Sequence, residues 1–130
     1  MAIRVVRLGK PREDGEGVRL GTVRRPPRGV KKEDYARRNY YDQWLPVLAP
    51  SQPTVSWGLA EPWTRARWEH FAKRYRQEMS APVPRRLIEL LAQMSQHTNF
   101  SVGCYCEVEE HCHRRVLRAL LQEAGAKIVS

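Results

Sequence analysis

Residues 99–130 read NFSVGCYCEVEEHCHRRVLRALLQEAGAKIVS, and their pattern decides the fold. Phe100, Val102, Cys104 and Cys106 alternate with Ser101, Gly103 and Tyr105, the period of a strand with one strongly apolar face. A polar loop, Glu107-Val108-Glu109-Glu110-His111, follows. Val116, Leu117, Leu120 and Leu121 then define one face of a helix, and Gly125 is placed to cap its C-terminus. Lys127-Ile128-Val129 predicts a short closing strand. Strand, helix and strand at this spacing predict a right-handed crossover with parallel strands. The chain is therefore expected as α/β: one compact domain over residues 1–130, with a small mostly parallel sheet flanked by helices and a C-terminal strand–helix–strand unit.

In such sheets ligands bind outside the C-terminal ends of the strands, which places the functional corner at the 105–114 loop. The first turn of the following helix offers free N–H groups and a partial positive charge. A cysteine there has its thiolate stabilised, more so beside arginines or a protonated histidine. Cys112 is the candidate nucleophile, His111 or His113 the base or proton donor, and Arg114 the anion clamp. A half-buried cysteine with capping histidines and no chemistry fits the same residues.

Two stricter patterns also cross this corner. His111-Cys112-x5-Arg118 has the spacing of cysteine-dependent phosphatases, but no glycine lies between Cys112 and Arg118 to bend a loop around phosphate. Cys104-x-Cys106-x5-Cys112-His113 offers four soft ligands suited to zinc. Its spacing is unlike the common knuckles, and adjacent Cys112 and His113 would strain to reach one ion. No metal ligand and no cofactor is assigned on this pattern.

Upstream, residues 3–8 and 18–23 read as strands separated by the turn Gly15-Glu16-Gly17, the second weakened by Gly21. Pro26-Pro27-Arg28-Gly29 stops regular structure. Tyr41, Trp44, Leu45 and Leu48 predict a helix over 31–48, ended or kinked by Pro46. Glu61-Pro62 predicts the start of a second helix, with Trp68, Phe71, Ala72, Tyr75 and Met79 on its apolar face. Pro82 and Pro84 separate it from a third, carrying Leu87, Ile88, Leu91 and Met94. Trp44 and Trp68 are expected to pack in the core, whereas Trp57 and Trp63 fall in or near loops, open to a stacking role.

With 130 residues, 42% hydrophobic and 28% charged, the composition is that of an ordinary globular domain. No apolar run approaches the roughly 18–20 residues of a membrane span, and the first residues lack the pattern of a secretory signal. Three cysteines cannot form a complete disulfide framework, so a cytoplasmic address with reduced thiols is expected. The net charge of +9 is concentrated in the first 38 residues and is dominated by arginine. That excess fits an anionic partner, nucleic acid or a small phosphate- or carboxylate-bearing ligand, and equally a solvated basic face.

The chain resembles the domain-of-unknown-function family 488, the YeaO-like proteins. The likeness runs through Arg7, Gly15-x-Gly17-x-Arg19, Arg24, Pro27-Arg28-Gly29-Val30-Lys31-Lys32, Asp42-x-Trp44-Leu45, Ala49-Pro50-Ser51 and Phe71-x3-Tyr75-x2-Glu78. It ends in Cys112-His113-Arg114-x2-Leu117, similar to the Cys-His-Arg signature of one branch. The resemblance implies a compact α/β domain and no particular reaction. Many members carry Asp-Arg-Leu-Trp-Pro-Arg-Gly where this chain has Val23-Arg24-Arg25-Pro26-Pro27-Arg28-Gly29, which keeps both flanking arginines. Some relatives carry Asn-His in place of Cys112-His113, which shifts weight from the cysteine to the histidine and arginines. The expected site is Arg24, Arg28 and Arg114 for a small anionic ligand, with Cys112 and His113 as the catalytic pair; non-specific nucleic-acid binding and cysteine- or zinc-dependent catalysis are the alternatives.

Overall fold

The computed structural model describes residues 1–59 and 62–129. Four strands, β1 (Ile3–Arg7), β2 (Val18–Gly21), β3 (Gln43–Trp44) and β4 (Phe100–Cys104), form one sheet in the order β1-β4-β2-β3, every pair parallel. The helices are α1 (Gln52–Leu59), α2 (Arg65–Met79), α3 (Pro82–Met94) and α4 (His113–Glu123). The fold is α/β. No helix among the described residues is long and apolar enough to cross a membrane.

The alternation read in 100–106 belongs to a central strand rather than a half-exposed one. All five residues of β4 are buried, because β1 and β2 hold its two edges. Phe100 and Val102 face a core built from Tyr75 and Met79 of α2, Ile88 and Leu91 of α3, and Val116, Leu117 and Leu121 of α4. Ser101 and Gly103 face the other way, where Leu8 packs against Gly103 and the Ser101 hydroxyl donates to Glu16 at 2.6 Å. That second face is closed by loops around a buried ion pair, Arg19 with Glu16, whose side chains are 1% and 2% exposed. Arg19 also donates to the Lys10 and Asn39 carbonyls, so the buried guanidinium is compensated by oxygen on several sides.

The crossover after β4 is present: α4 returns the chain to the far edge, where Ile128 bridges Ile3 in parallel. The closing strand shrinks to that single bridge, held by Ile3 N–H to the Lys127 carbonyl at 2.8 Å and Val129 N–H to the Ile3 carbonyl at 2.9 Å. Gly125, at φ 96°, follows the last turn of α4 as expected of a glycine cap.

The helix expected over 31–48 does not form. That segment holds two 3-10 turns, Lys32–Asp34 and Pro46–Leu48, with β3 between them. Tyr41 and Leu48 mimic helical spacing because separate tertiary contacts bury them. Tyr41 lies over Gly21, Leu48 enters the main core, and Asp42 accepts the Arg19 N–H at 2.8 Å, which aligns β3 along β2. Trp44, expected in the core, is 37% exposed, with its indole N–H donating to the Val23 carbonyl. Trp68 is half-buried against the core. Of the expected helix start at Glu61-Pro62, Glu61 lies outside the described residues; α2 begins at Arg65, capped by the Thr64 hydroxyl accepting from the Arg67 N–H. Pro82 and Pro84 sit inside the first turn of α3, where their missing donors cost nothing. Met94, placed on its apolar face, is 38% exposed.

Candidate functional site

Because the sheet is parallel and β4 inserts between β1 and β2, the C-terminal ends of β2 and β4 open on the same side. A cleft of about 740 Å³ lies there. The segment after β2 supplies Arg24, Arg25 and Arg28, the end of β4 supplies Cys104 and Cys106, and the start of α4 supplies Cys112 and His113. Aromatic residues wall the other side. Trp63 stacks on His111 with ring centroids 4.1 Å apart and an 18° interplanar angle. The Arg67 guanidinium lies 4.0 Å from the centre of the Trp57 ring. The two tryptophans left open by sequence thus both line the cleft, and Trp63 remains 50% exposed.

Cys112 is the N-cap of α4, and its Sγ accepts the Arg114 N–H at 3.5 Å. The His113 ring is buried, edge-on to Tyr75. Its Nε2 lies 2.7 Å from the Thr22 carbonyl oxygen, which can only accept, so Nε2 carries the proton. Nδ1 is left with its lone pair 3.8 Å from Cys112 Sγ. Cys112 Sγ therefore lies between a ring nitrogen oriented by Thr22 and the thiols of Cys104 and Cys106.

The five residues expected to form the site separate by role. Arg24, Arg28, Cys112 and His113 all line the cleft. Arg24, however, donates from Nε to the Pro50 carbonyl at 2.9 Å and from Nη2 to those of Pro46 and Ala49 at 3.1 and 3.2 Å, bracing the 46–50 segment. Arg28 is exposed and makes no hydrogen bond or ion pair among the described residues. Arg114 is buried behind the lining; its Nη2 donates to the Cys106 carbonyl at 2.7 Å, and its Nε has no partner among the described residues. Arg118, of the phosphatase-like spacing, instead pairs with Glu109 at 2.7 Å.

Cys106 is a further candidate residue, given no role by the sequence pattern beyond chelating or packing beside Cys104. β4 ends at Cys104, and the next turn brings Cys106 back so that the two Sγ atoms are 3.7 Å apart. Cys106 is exposed while Cys104 and Cys112 are buried, and none of the three is in a disulfide. Hydrogen bonds from Cys104 and then Cys112 pull the Cys106 thiol well below its ordinary pKa against the opposing effect of burial, and the Arg114 charge adds to them. Cys104 moves the other way, first because its proton is held by Cys106. The C-x-C spacing was the available signal; its meaning depended on where the strand stopped.

Residues 3–125 match the family described as the active DUF488-N3 subclade, and the chain belongs to the DUF488 family. No curated protein and no solved structure is matched by the chain.

Proposed function

We propose that this DUF488 protein binds a small phosphate- or carboxylate-bearing ligand in the cleft, with Arg28 supplying an exposed charge and Cys112 and His113 meeting the ligand at the floor. The observation that carries this reading is the exposed Arg28, without a partner among the described residues, on the same cleft as Cys112 and His113. A guanidinium engages such oxygens bidentately. Arg24 contributes by shaping the wall, and Arg114 supports the floor from behind. The exposed face of Trp63 favours a ligand whose body is apolar or planar.

Non-specific nucleic-acid binding is the weaker reading. Arg12, Arg19 and Arg37 pair with acids of the chain and Arg24 with carbonyls, so part of the N-terminal charge is already engaged. A cysteine-dependent reaction is favoured by one observation, the approach of His113 Nδ1 to Cys112 Sγ at 3.8 Å. Free thiols at all three cysteines suit a reducing compartment such as the cytoplasm.

Inorganic phosphate titrated into the protein tests the proposal through tryptophan fluorescence, since Trp57 and Trp63 line the cleft. Saturable binding is expected, weakened about tenfold to a hundredfold by Arg28→Ala, the range of a charge-assisted hydrogen bond. Equal binding by wild type and Arg28→Ala would sink the proposal. A steep fall in affinity for single-stranded DNA with salt, with no phosphate response, would favour the nucleic-acid reading instead.

A further inference from the structure

We infer that Cys104, Cys106 and Cys112 form a binding site for one zinc ion at the floor of the cleft. The sulfur atoms all lie within 4.8 Å of one another. Thiolates about 2.3 Å from one tetrahedral zinc stand about 3.8 Å apart. The Cys104–Cys106 separation of 3.7 Å already matches that edge, and the remaining edges need closure of about an ångström at most. Besides a spacing unlike the common knuckles, the sequence argued against zinc because it required adjacent Cys112 and His113 to share an ion. The fold removes that objection, since the third sulfur comes from Cys112 alone and His113 is turned to Thr22.

Cys104 and Cys112 pack with Leu8, Val23 and Tyr41, and polar groups that suit a thiolate–metal centre reach the sulfurs from the α4 side. The Arg114 N–H points to Cys112 Sγ at the start of α4, the kind of outer hydrogen bond that holds a ligating sulfur. Three thiolates and Zn²⁺ leave one net negative charge. The buried guanidinium of Arg114 is fastened to the Cys106 carbonyl and its Nε has no partner among the described residues, so a counter-charge is in place before any ion arrives. All three cysteines line the cleft, which leaves the fourth coordination position to water or to a group of a bound ligand. Binding is coordination without redox change: each ligating thiol releases its proton to solvent.

The inference stands independently of the ligand that the cleft takes. Reduced, chelator-stripped protein is titrated with Zn²⁺ alone against a chromophoric chelator, and separately with Co²⁺ to read thiolate-to-metal charge-transfer absorption. One zinc per chain and an intense cobalt–thiolate band are expected. Cys106→Ser, at an exposed position and checked for folding by circular dichroism, should weaken zinc binding by more than the about hundredfold that losing an outer partner costs. Cys104→Ser and Cys112→Ser should act in the same direction. No zinc uptake by the reduced wild type, or unchanged uptake by folded Cys106→Ser, overturns the site. Phosphate binding is read on the same samples: zinc uptake without a phosphate response sinks only the ligand proposal, and phosphate binding without zinc uptake sinks only this one.

Discussion

Arg24 donates from its Nε to the carbonyl oxygen of Pro50 at 2.9 Å, which ties the end of β2 to the loop that precedes α1. Two further carbonyls of that loop accept from the same guanidinium, while Arg28, four residues on, has no partner among the described residues. Two arginines flanking one proline turn therefore have different work. One builds the wall of the cleft and the other faces what enters it.

That division predicts opposite signatures. Arg24→Ala should lower unfolding stability by about 2 kcal/mol, since three carbonyls lose a charged donor. Arg28→Ala should leave stability within about 0.5 kcal/mol while weakening phosphate binding. Urea unfolding of both variants beside phosphate titrations reads the split, and a stability loss confined to Arg28→Ala would refute it.

The His113 ring should be present as the tautomer protonated at Nε2. Nitrogen-15 shifts of the imidazole measure this directly, and protonation at Nδ1 alone would contradict the Thr22 contact. Replacing the buried ring by alanine should cost about 2–4 kcal/mol, combining a cavity with an unpartnered carbonyl.

Acid should weaken the loop-covered face of the sheet through Glu16. Burial alone would raise its pKa, but hydrogen bonds from Arg19, Ser101 and the Glu13 N–H outweigh that and lower it from 4.5 to about 2. A carboxylate stabilised in the folded chain contributes fully above pH 4.5, and its contribution is lost as the pH falls toward about 2. The difference corresponds to about 3 kcal/mol. Urea midpoints across that window should fall less steeply in Glu16→Gln than in wild type, although the variant starts less stable because Arg19 is left buried beside a neutral amide.

Gly103 should tolerate no side chain. A Cβ there would stand 2.6 Å from Leu8 and 3.0 Å from the Val6 carbonyl, in the middle of the sheet. Gly103→Val is expected to cost more than about 3 kcal/mol, beyond the usual range for overpacking because backbone as well as side chain must move. Thermal unfolding checks this, and a variant as stable as wild type would show that β1 and β4 do not pair in this register.

The corner was legible because local chemistry and long-range packing agree there. Alternation in 100–104, a capped helix from 113 and Gly125 at its end each persist in the structure. The 31–48 segment was misread because Tyr41 and Leu48 are apolar for unrelated reasons, one over Gly21 and one in the main core. Spacing along a chain cannot tell a helix face from two separate burials. The cysteines were only partly legible for a related reason: Cys106 looked like the continuation of β4, and only the end of pairing at Cys104 shows that the chain turns there.

The sequence by itself determined an α/β chain with a parallel crossover and placed Cys112, His113 and Arg114 at the start of α4, since these follow from period and from residue type at a helix end. Tertiary structure alone decided which side chains meet. Insertion of β4 between β1 and β2 carries residues some eighty positions apart to one cleft, turns Arg24 inward to carbonyls while leaving Arg28 outward, and gathers three sulfurs within 4.8 Å. Those outcomes depend on strand order and on where backbone oxygens fall, quantities that no local pattern encodes.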